Sequence, residues 1–360
     1  MIKVLVVEDS PVARELLIHI LRSDPGIEVI GSAKNGREAV EFVACHKPDL
    51  VTMDIYMPEM DGFEASRCIM ENTPVPIVMV TASPDMQELD ASFRAIETGA
   101  LTILQKPQGP GHPNYTKHAS TLISTVKLMS EIKVVKRWPR TGERLPQMPL
   151  NRGTTSPHHA TPMEIVAIGA STGGPPVIEK ILAALPHSFP LPILIVQHMA
   201  EGFVQGFAEW LGQTSTLPVQ VPVHGSITRP GHVYLAPDGV QMRIDVGRRL
   251  SCQKEDPENG LRPAVSCLFR SVAEVFGKKA VGVLLTGMGR DGASELKLLR
   301  DKGAVTIAQN EETSAVYGMP GEAVKLDAAR YILPADKIAA LLTGIAIAGT
   351  KNQEATQRSL

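Results

Sequence analysis

Five short apolar runs punctuate the first 130 residues: "KVLVV", "EVIGSA", "LVTMD", "PIVMVTA" and "LTILQK". Apolar runs of this length predict parallel strands buried on both faces rather than one-sided strands. Amphipathic segments separate them at 11–22, 36–46, 62–71 and 86–98, and a last helix is expected near 117–135. Strand and helix alternate throughout, which predicts an α/β fold with a doubly wound parallel sheet. The pattern then stops. "KRWPRTGERLPQMPLNRGTTSPHHATP" has no periodicity and is rich in Pro, Gly, Ser, Thr and Arg. It reads as an exposed tether, basic over 136–152, with His158 and His159 as polar filler in it.

A second α/β pattern begins at Glu164. "EIVAIGAS", "PILIVQH", "AVGVLLTG" and "AVTIAQ" are expected strands. "GHVYLAP" and "VQMRIDVGRRLSCQK" alternate around turn residues and are expected to form an antiparallel hairpin region inserted into or beside the sheet. The expected organisation is therefore a first domain over 1–130, a flexible linker over 131–163, a second domain over 164–345 and a disordered tail over 346–360.

Composition narrows the function. A chain of 360 residues with 43% apolar content supports two or three buried cores. Basic and acidic residues nearly balance, at 36 against 38, so no nucleic acid or anionic membrane surface is expected as a partner. Aromatic residues make up only 4%, too few for a base-stacking platform. Cys45, Cys68, Cys252 and Cys267 are scattered and read as reduced thiols. The start "MIKVLVVEDS" enters a strand without a signal-peptide pattern, and no apolar run reaches the ~18 residues of a membrane span. A soluble, cytoplasmic protein without membrane insertion is expected.

In open parallel sheets chemistry collects at the carboxyl ends of the strands. Glu8 and Asp9 end the first expected strand, Asp54 the third, Thr81 the fourth and Lys106 the fifth. Clustered carboxylates bind a hard cation such as Mg2+. One carboxylate can attack phosphorus to give an acyl phosphate, whose oxygens a lysine and a threonine can hold. The segments "VVEDS", "MDIYMPEMDGFEA", "VTA" and "QKP" resemble the receiver domain of response regulators over about residues 1–130. The resemblance implies a flavodoxin-like fold, Asp54 as phosphoacceptor, and Glu8, Asp9 and Asp54 as the Mg2+ site. Thr81 and Lys106 would read the phosphorylated state, and a histidine kinase would be the phosphodonor. Many receivers carry Asp-Asp where this chain has Glu-Asp; both supply oxygen ligands.

The stretch "VAIGASTGGPP" admits three readings. A dinucleotide fingerprint needs glycine at position 171, where Ser stands, and an acidic end to the next strand, which closes instead on Gln197 and His198. A phosphate-binding Walker loop needs Gly-Lys-Ser/Thr, which is absent. Gly169-Ala-Ser171-Thr-Gly173 does fit Gly-x-Ser-x-Gly on a strand-to-helix turn. His198 ends an adjacent strand and is a candidate base. Asp291, in the loop of "LLTGMGRDGA", is the candidate orienting group and also a candidate N-cap for the helix that follows. Gly287 and Gly289 beside it would let backbone N–H groups approach an oxyanion. The chain order Ser, His, Asp differs from that of α/β-hydrolases, so a lipase-like fold is disfavoured.

"IGASTGGP", "VQHM", "VYLAP", "LLTGMGRDGA" and "AQNEETSAVYGMP" resemble the catalytic domain of the chemotaxis protein-glutamate methylesterases, from about 164 to about 342. Two domains in the family's order make the resemblance specific. It implies a Rossmann-like methylesterase domain, Ser171, His198 and Asp291 as a catalytic triad, and the N–H of Met288 in the oxyanion hole. The implied reaction is hydrolysis of glutamate γ-methyl esters, with deamidation of glutamines, on the cytoplasmic domains of methyl-accepting chemoreceptors. The esterase step would need no cofactor. The resting receiver is expected to cover the catalytic rim until Asp54 is phosphorylated. Two other classes compete: a receiver-controlled adaptor without hydrolysis, and a DNA-binding regulator, disfavoured by the near-neutral charge and the lack of a basic recognition helix over 164–342.

Overall fold

A computed structural model describes residues 1–81, 102–132 and 162–357, with side chains described up to Ile347. The expected helix at 86–98 and most of the expected linker lie outside the described residues. The chain divides into two compact units, Met1–Pro139 and Arg140–Leu360.

The first unit is a five-stranded sheet built from β1 (Ile2–Val7), β2 (Ile27–Ala33), β3 (Leu50–Met53), β4 (Ile77–Thr81) and β5 (Thr102–Gln105), in the order β2-β1-β3-β4-β5. Every ladder is parallel. All five expected strands are present, in the order of flavodoxin-like folds. Helices α1 (Pro11–Arg22), α2 (Gly36–His46), α3 (Gly62–Asn72) and α4 (Tyr115–Ser130) flank the sheet. Their starts are written in the sequence. Asn35 Oδ1 accepts from Glu38 N at 2.8 Å, and Asp61 Oδ1 accepts from Phe63 N and Glu64 N at 3.0 and 2.8 Å. Each satisfies N–H groups that a helix start leaves open. The final helix stops at Ser130, short of the expected 135.

The second unit is a seven-stranded sheet in the order β14-β13-β12-β6-β7-β9-β8. Its strands are β6 (Ile165–Ala170), β7 (Ile193–Gln197), β8 (Val219–Gln220), β9 (Val233–Leu235), β12 (Ala280–Leu284), β13 (Val305–Gln309) and β14 (Tyr331–Leu333). All its ladders are parallel. One expectation is corrected here. "VYL" of "GHVYLAP" is β9, a strand of the parallel sheet beside β7. Only β10 (Gln241–Ile244) and β11 (Leu250–Gln253) form the antiparallel hairpin. Three residues are too few for a period to declare itself; burial of Val233, Tyr234 and Leu235 settles their place.

The helices of this unit are α5 (Gly174–Ala184), α6 (Val204–Thr214), α7 (Val265–Phe276), α8 (Ala293–Asp301), α9 (Met319–Lys325) and α10 (Ala335–Gln357). The apolar side of α7, with Leu268, Phe269 and Val272, shares one core with Leu194 and Val196 of β7, Leu284 of β12 and Leu296 of α8. Met242, Ile244 and Leu250 of the hairpin enter the same core. Packing therefore locks α7 against the strands whose ends carry the candidate residues. Helix α10 continues to Gln357, into the stretch expected to be a disordered tail from 346. Its alanines and long side chains favour helix once a packed turn has nucleated it. Among the described residues no helix is long and apolar enough to cross a membrane.

Candidate active site

The carboxyl rim of the first sheet gathers the side chains of Glu8, Asp9, Asp54 and Lys106, and Thr81 closes β4 at the same end. Carboxylate oxygens of Glu8, Asp9 and Asp54 lie within 4.8 Å of one another. The Lys106 ammonium, carried just past β5, reaches Asp54 Oδ2 at 2.7 Å and Glu8 Oε2 at 2.9 Å. The carbonyl of Thr81 accepts from Lys106 N at 2.7 Å, which ties the end of β4 to the start of that loop. Burial pushes the Glu8 and Asp54 carboxyls above their ordinary range, despite the adjacent ammonium. Lys106 is held above its ordinary value: its own burial works against the charge, but Asp54 and Glu8 outweigh it. Three carboxylates thus face one ammonium, with Glu8 fully buried among them. This all-oxygen set fits a hard divalent cation.

In the second unit the strand order runs one way from β6 to β7 and the other way from β6 to β12. That reversal is where open α/β sheets place their sites. Ser171 follows β6 directly. The ladder ends at the pair Ala170↔Gln197, and His198 N donates to Ala170 O at 2.9 Å. Ser171 and His198 are therefore the next residues on adjoining strands, whose usual spacing is about 4.8 Å. Gly173, at φ 75°, turns the chain into α5. The loop after β12 closes the third side. Ser171 N donates to Thr286 O at 3.0 Å. A Cβ on Gly287 would stand 2.7 Å from the Ser171 Cβ, so only glycine lets this loop approach so closely.

His198 Nε2 lies 2.9 Å from Asp291 Oδ2, across 93 positions of sequence. With Nε2 facing the carboxylate, Nδ1 is the ring nitrogen left to accept a proton. The Ser171 hydroxyl makes no hydrogen bond to the ring in this resting arrangement; such bonds commonly tighten only when substrate is bound. Asp291 is 5% exposed. It does not cap α8, whose N-cap position is Gly292 with no side-chain cap. Its carboxylate instead accepts from Val265 N at 2.6 Å, Ser266 N at 3.1 Å and Ser266 Oγ at 2.5 Å, at the start of α7. Burial would raise its pKa, but His198, the Ser266 hydroxyl and the Val265 N–H outweigh it and hold the carboxyl below its usual range. Asp291 is thus kept as an anion beside the imidazole.

Met288 follows Gly287, and its backbone N–H donates to no acceptor among the described residues. Its neighbours are pinned: Gly287 N donates to Val316 O, and Gly287 O accepts from Gly318 N and Met319 N. Sequence reasoning missed the residues that hold the rim. Ser266 lies in "RPAVSCLF", where nothing but its place at a helix start marks it. Gln309 is buried, accepts from Thr286 N at 2.8 Å and donates to Thr313 O at 2.7 Å, joining the loops after β12 and β13. A glutamine closing an apolar strand was the available signal.

Comparison with known proteins finds relatives of both units. The CheB methylesterase family model matches residues 166–342, and the response regulator receiver domain model matches residues 4–112. The chain is 55% identical to protein-glutamate methylesterase/protein-glutamine glutaminase 4 of Geobacter metallireducens, over 96% of this chain and 99% of that one. It is 52% identical to the protein-glutamate methylesterase/protein-glutamine glutaminase of Nitrosospira multiformis, over 96% and 97%. Among solved structures, the Thermotoga maritima CheB methylesterase catalytic domain matches 50% of this chain and 97% of its own, at 38% identity and a TM-score of 0.49. With relatives at 52% and 55% identity covering nearly the whole of both chains, and a receiver model followed by a methylesterase model, this protein belongs to the CheB family of receiver-linked protein-glutamate methylesterases/protein-glutamine glutaminases.

Proposed function

We propose that this chain hydrolyses glutamate γ-methyl esters, and deamidates glutamines, on the cytoplasmic domains of chemoreceptors, with Ser171 as nucleophile. The observation that carries this reading is the 2.9 Å bond from His198 to Asp291, made by the residue that flanks Ser171 on the next strand. His198 Nδ1 takes the Ser171 proton as Oγ bonds the ester carbonyl carbon. Asp291 holds the ring and offsets the positive charge it gains. The oxygen that becomes negative faces the N–H of Met288; one such donor contributes ~2.7–4 kcal/mol to transition-state stability. The C–O bond to the methoxy group, or the C–N bond of a glutamine amide, then breaks, and His198 gives its proton to the leaving group to release methanol or ammonia. Water, deprotonated by the same imidazole, splits the acyl-serine and restores Ser171 with a free glutamate.

Asp54 is the phosphoacceptor in this reading. Glu8, Asp9 and Asp54 would hold Mg2+, which neutralises an incoming phosphoryl group when bound. Lys106 pairs with the acyl phosphate and Thr81 reports it, and a phosphohistidine of a kinase supplies it. Phosphorylation then raises esterase activity. The test is methanol release from methylated receptor membranes. Ser171→Ala should lose activity on the order of 10⁶-fold in kcat with unchanged melting. A Ser171→Ala chain that releases methanol as fast as the parent excludes Ser171 as the nucleophile, and a parent chain that releases none leaves an adaptor.

A further inference from the structure

One side chain joins the two halves of the candidate site and has no part in the chemistry above. Gln197 closes β7, is 3% exposed, and stands in the last pair of the β6–β7 ladder, opposite Ala170. Its Nε2 donates to Ser171 O at 2.8 Å and to His198 O at 2.8 Å. The opposite amide orientation would turn Oε1 toward two carbonyl oxygens, so this assignment is the one the contacts allow. We propose that Gln197 is a positioning residue, whose buried amide clamps the Ser171 backbone to the His198 backbone beyond the point where the sheet ends. The proposal rests on the reading of those two residues as nucleophile and base.

The physical need for a clamp is plain. The strand ladder ends at the pair 170 and 197. One residue later both chains turn into loops, where His198 N still donates to Ala170 O but the carbonyls of Ser171 and His198 lie beyond the ladder. The hydroxyl and the imidazole belong to those two residues. The two hydrogens of one amide extend the cross-strand tie by one position on each side. Glycine at 174 makes the space: a Cβ there would lie 2.2 Å from Gln197 Oε1. That Oε1 is buried and accepts no hydrogen bond. An orphaned buried acceptor carries a desolvation cost, and it is retained here on an amide whose other end holds two groups of the site. A neutral amide also adds no charge beside the imidazole, whereas a glutamate would turn an anion toward two carbonyl oxygens.

The test uses the full chain with Gln197→Met, which removes both donors at similar volume, and Gln197→Glu, which is nearly isosteric. Methanol release gives kcat and KM, and labelling by a fluorophosphonate gives the reactivity of Ser171 without receptor. Gln197→Met should lower kcat and the labelling rate by ~10²-fold, the scale of a displacement near 1 Å, with KM little changed. Gln197→Glu should be similarly slow at neutral pH. Its activity relative to the parent should climb as pH falls, because a neutral carboxyl regains one donor, and Gln197→Met should show no such recovery. A Gln197→Met chain that melts like the parent and keeps its kcat overturns the proposal. If Gln197→Met does not fold, the Gln197→Glu ratio decides, and a ratio flat with pH overturns it. Loss of activity in Ser171→Ala alongside a fully active Gln197→Met removes the clamp alone; an active Ser171→Ala removes the nucleophile reading beneath it.

Discussion

Asp291 draws four donors onto one carboxylate, from His198, Val265, Ser266 N and Ser266 Oγ. Hydrogen bonds to a charged acceptor contribute about 1.5–3 kcal/mol each. Ser266→Ala should therefore lower the melting temperature of the second unit by roughly 3–12 °C at the usual ~2–4 °C per kcal/mol, read by calorimetry. It should also slow methanol release, since the carboxylate loses one of its anchors. The pH response has a definite sign. The folded Asp291 carboxyl sits below its ordinary value. Its contribution to stability is complete above the unfolded pKa of about 3.9 and is lost as pH falls through the lower folded value. The melting difference between the parent and Asp291→Asn should hold from about pH 7 to 5 and narrow below about pH 4. A difference constant through that range would show that the depression is absent. Asp291→Asn should also cut kcat by about 10⁴-fold, because the imidazole loses its counter-charge and its tautomer.

Among the elements, strands set the frame and buried amides tie down the loops. Gln309 joins the loops after β12 and β13, as Gln241 joins Ala264 N at 2.8 Å to Leu261 O at 3.0 Å just before α7. Both are fully buried glutamines at ends of strands. The close approach of the β12 loop to Ser171 gives a sharp contrast between two glycines. Gly287→Ala places a methyl 2.4 Å from Met319 Sδ and 2.7 Å from Ser171 Cβ, so the loop must move and kcat should fall by ~10²-fold. Gly212, in α6, has nothing within 4 Å of an added Cβ. Gly212→Ala should raise stability by about 0.5–1 kcal/mol with activity unchanged. Melting and methanol release on both variants check the pair. Strand periodicity located β6, β7, β12 and β13. It misplaced "VYL", because a three-residue strand carries too little pattern to separate a sheet strand from a hairpin arm.

At the scale of the whole chain, two α/β units carry two different rims. The first is surplus in carboxylate and ready for a cation; the second is built around a hydroxyl, an imidazole and a single buried anion. In a coupled protein the first should control the second chemically. Addition of a small-molecule phosphodonor with Mg2+ should raise methanol release, and a chelator should remove that rise. Asp54→Asn should abolish the response, with the rate in the absence of phosphodonor measured beside it. A response that survives both the chelator and Asp54→Asn would falsify phosphoryl control through this rim. The near-neutral balance of 36 basic and 38 acidic residues fits a chain with no electrostatic reason to coat nucleic acid.

The sequence by itself determined the local facts: which runs are strands, which segments begin helices at Asn35 and Asp61, and which polar residues stand at strand ends. Those follow from period, capping chemistry and the rule that rims carry function, all of which act over a few residues. Tertiary structure alone decided the rest. It set Ser171 beside His198 through the β6–β7 register, and brought Asp291 to His198 from the loop after β12. It also gave that aspartate to α7 rather than α8, and placed Gln197 across the gap. These are contacts between segments from 25 to 93 positions apart, fixed by packing and strand order, and no local pattern of residues encodes them.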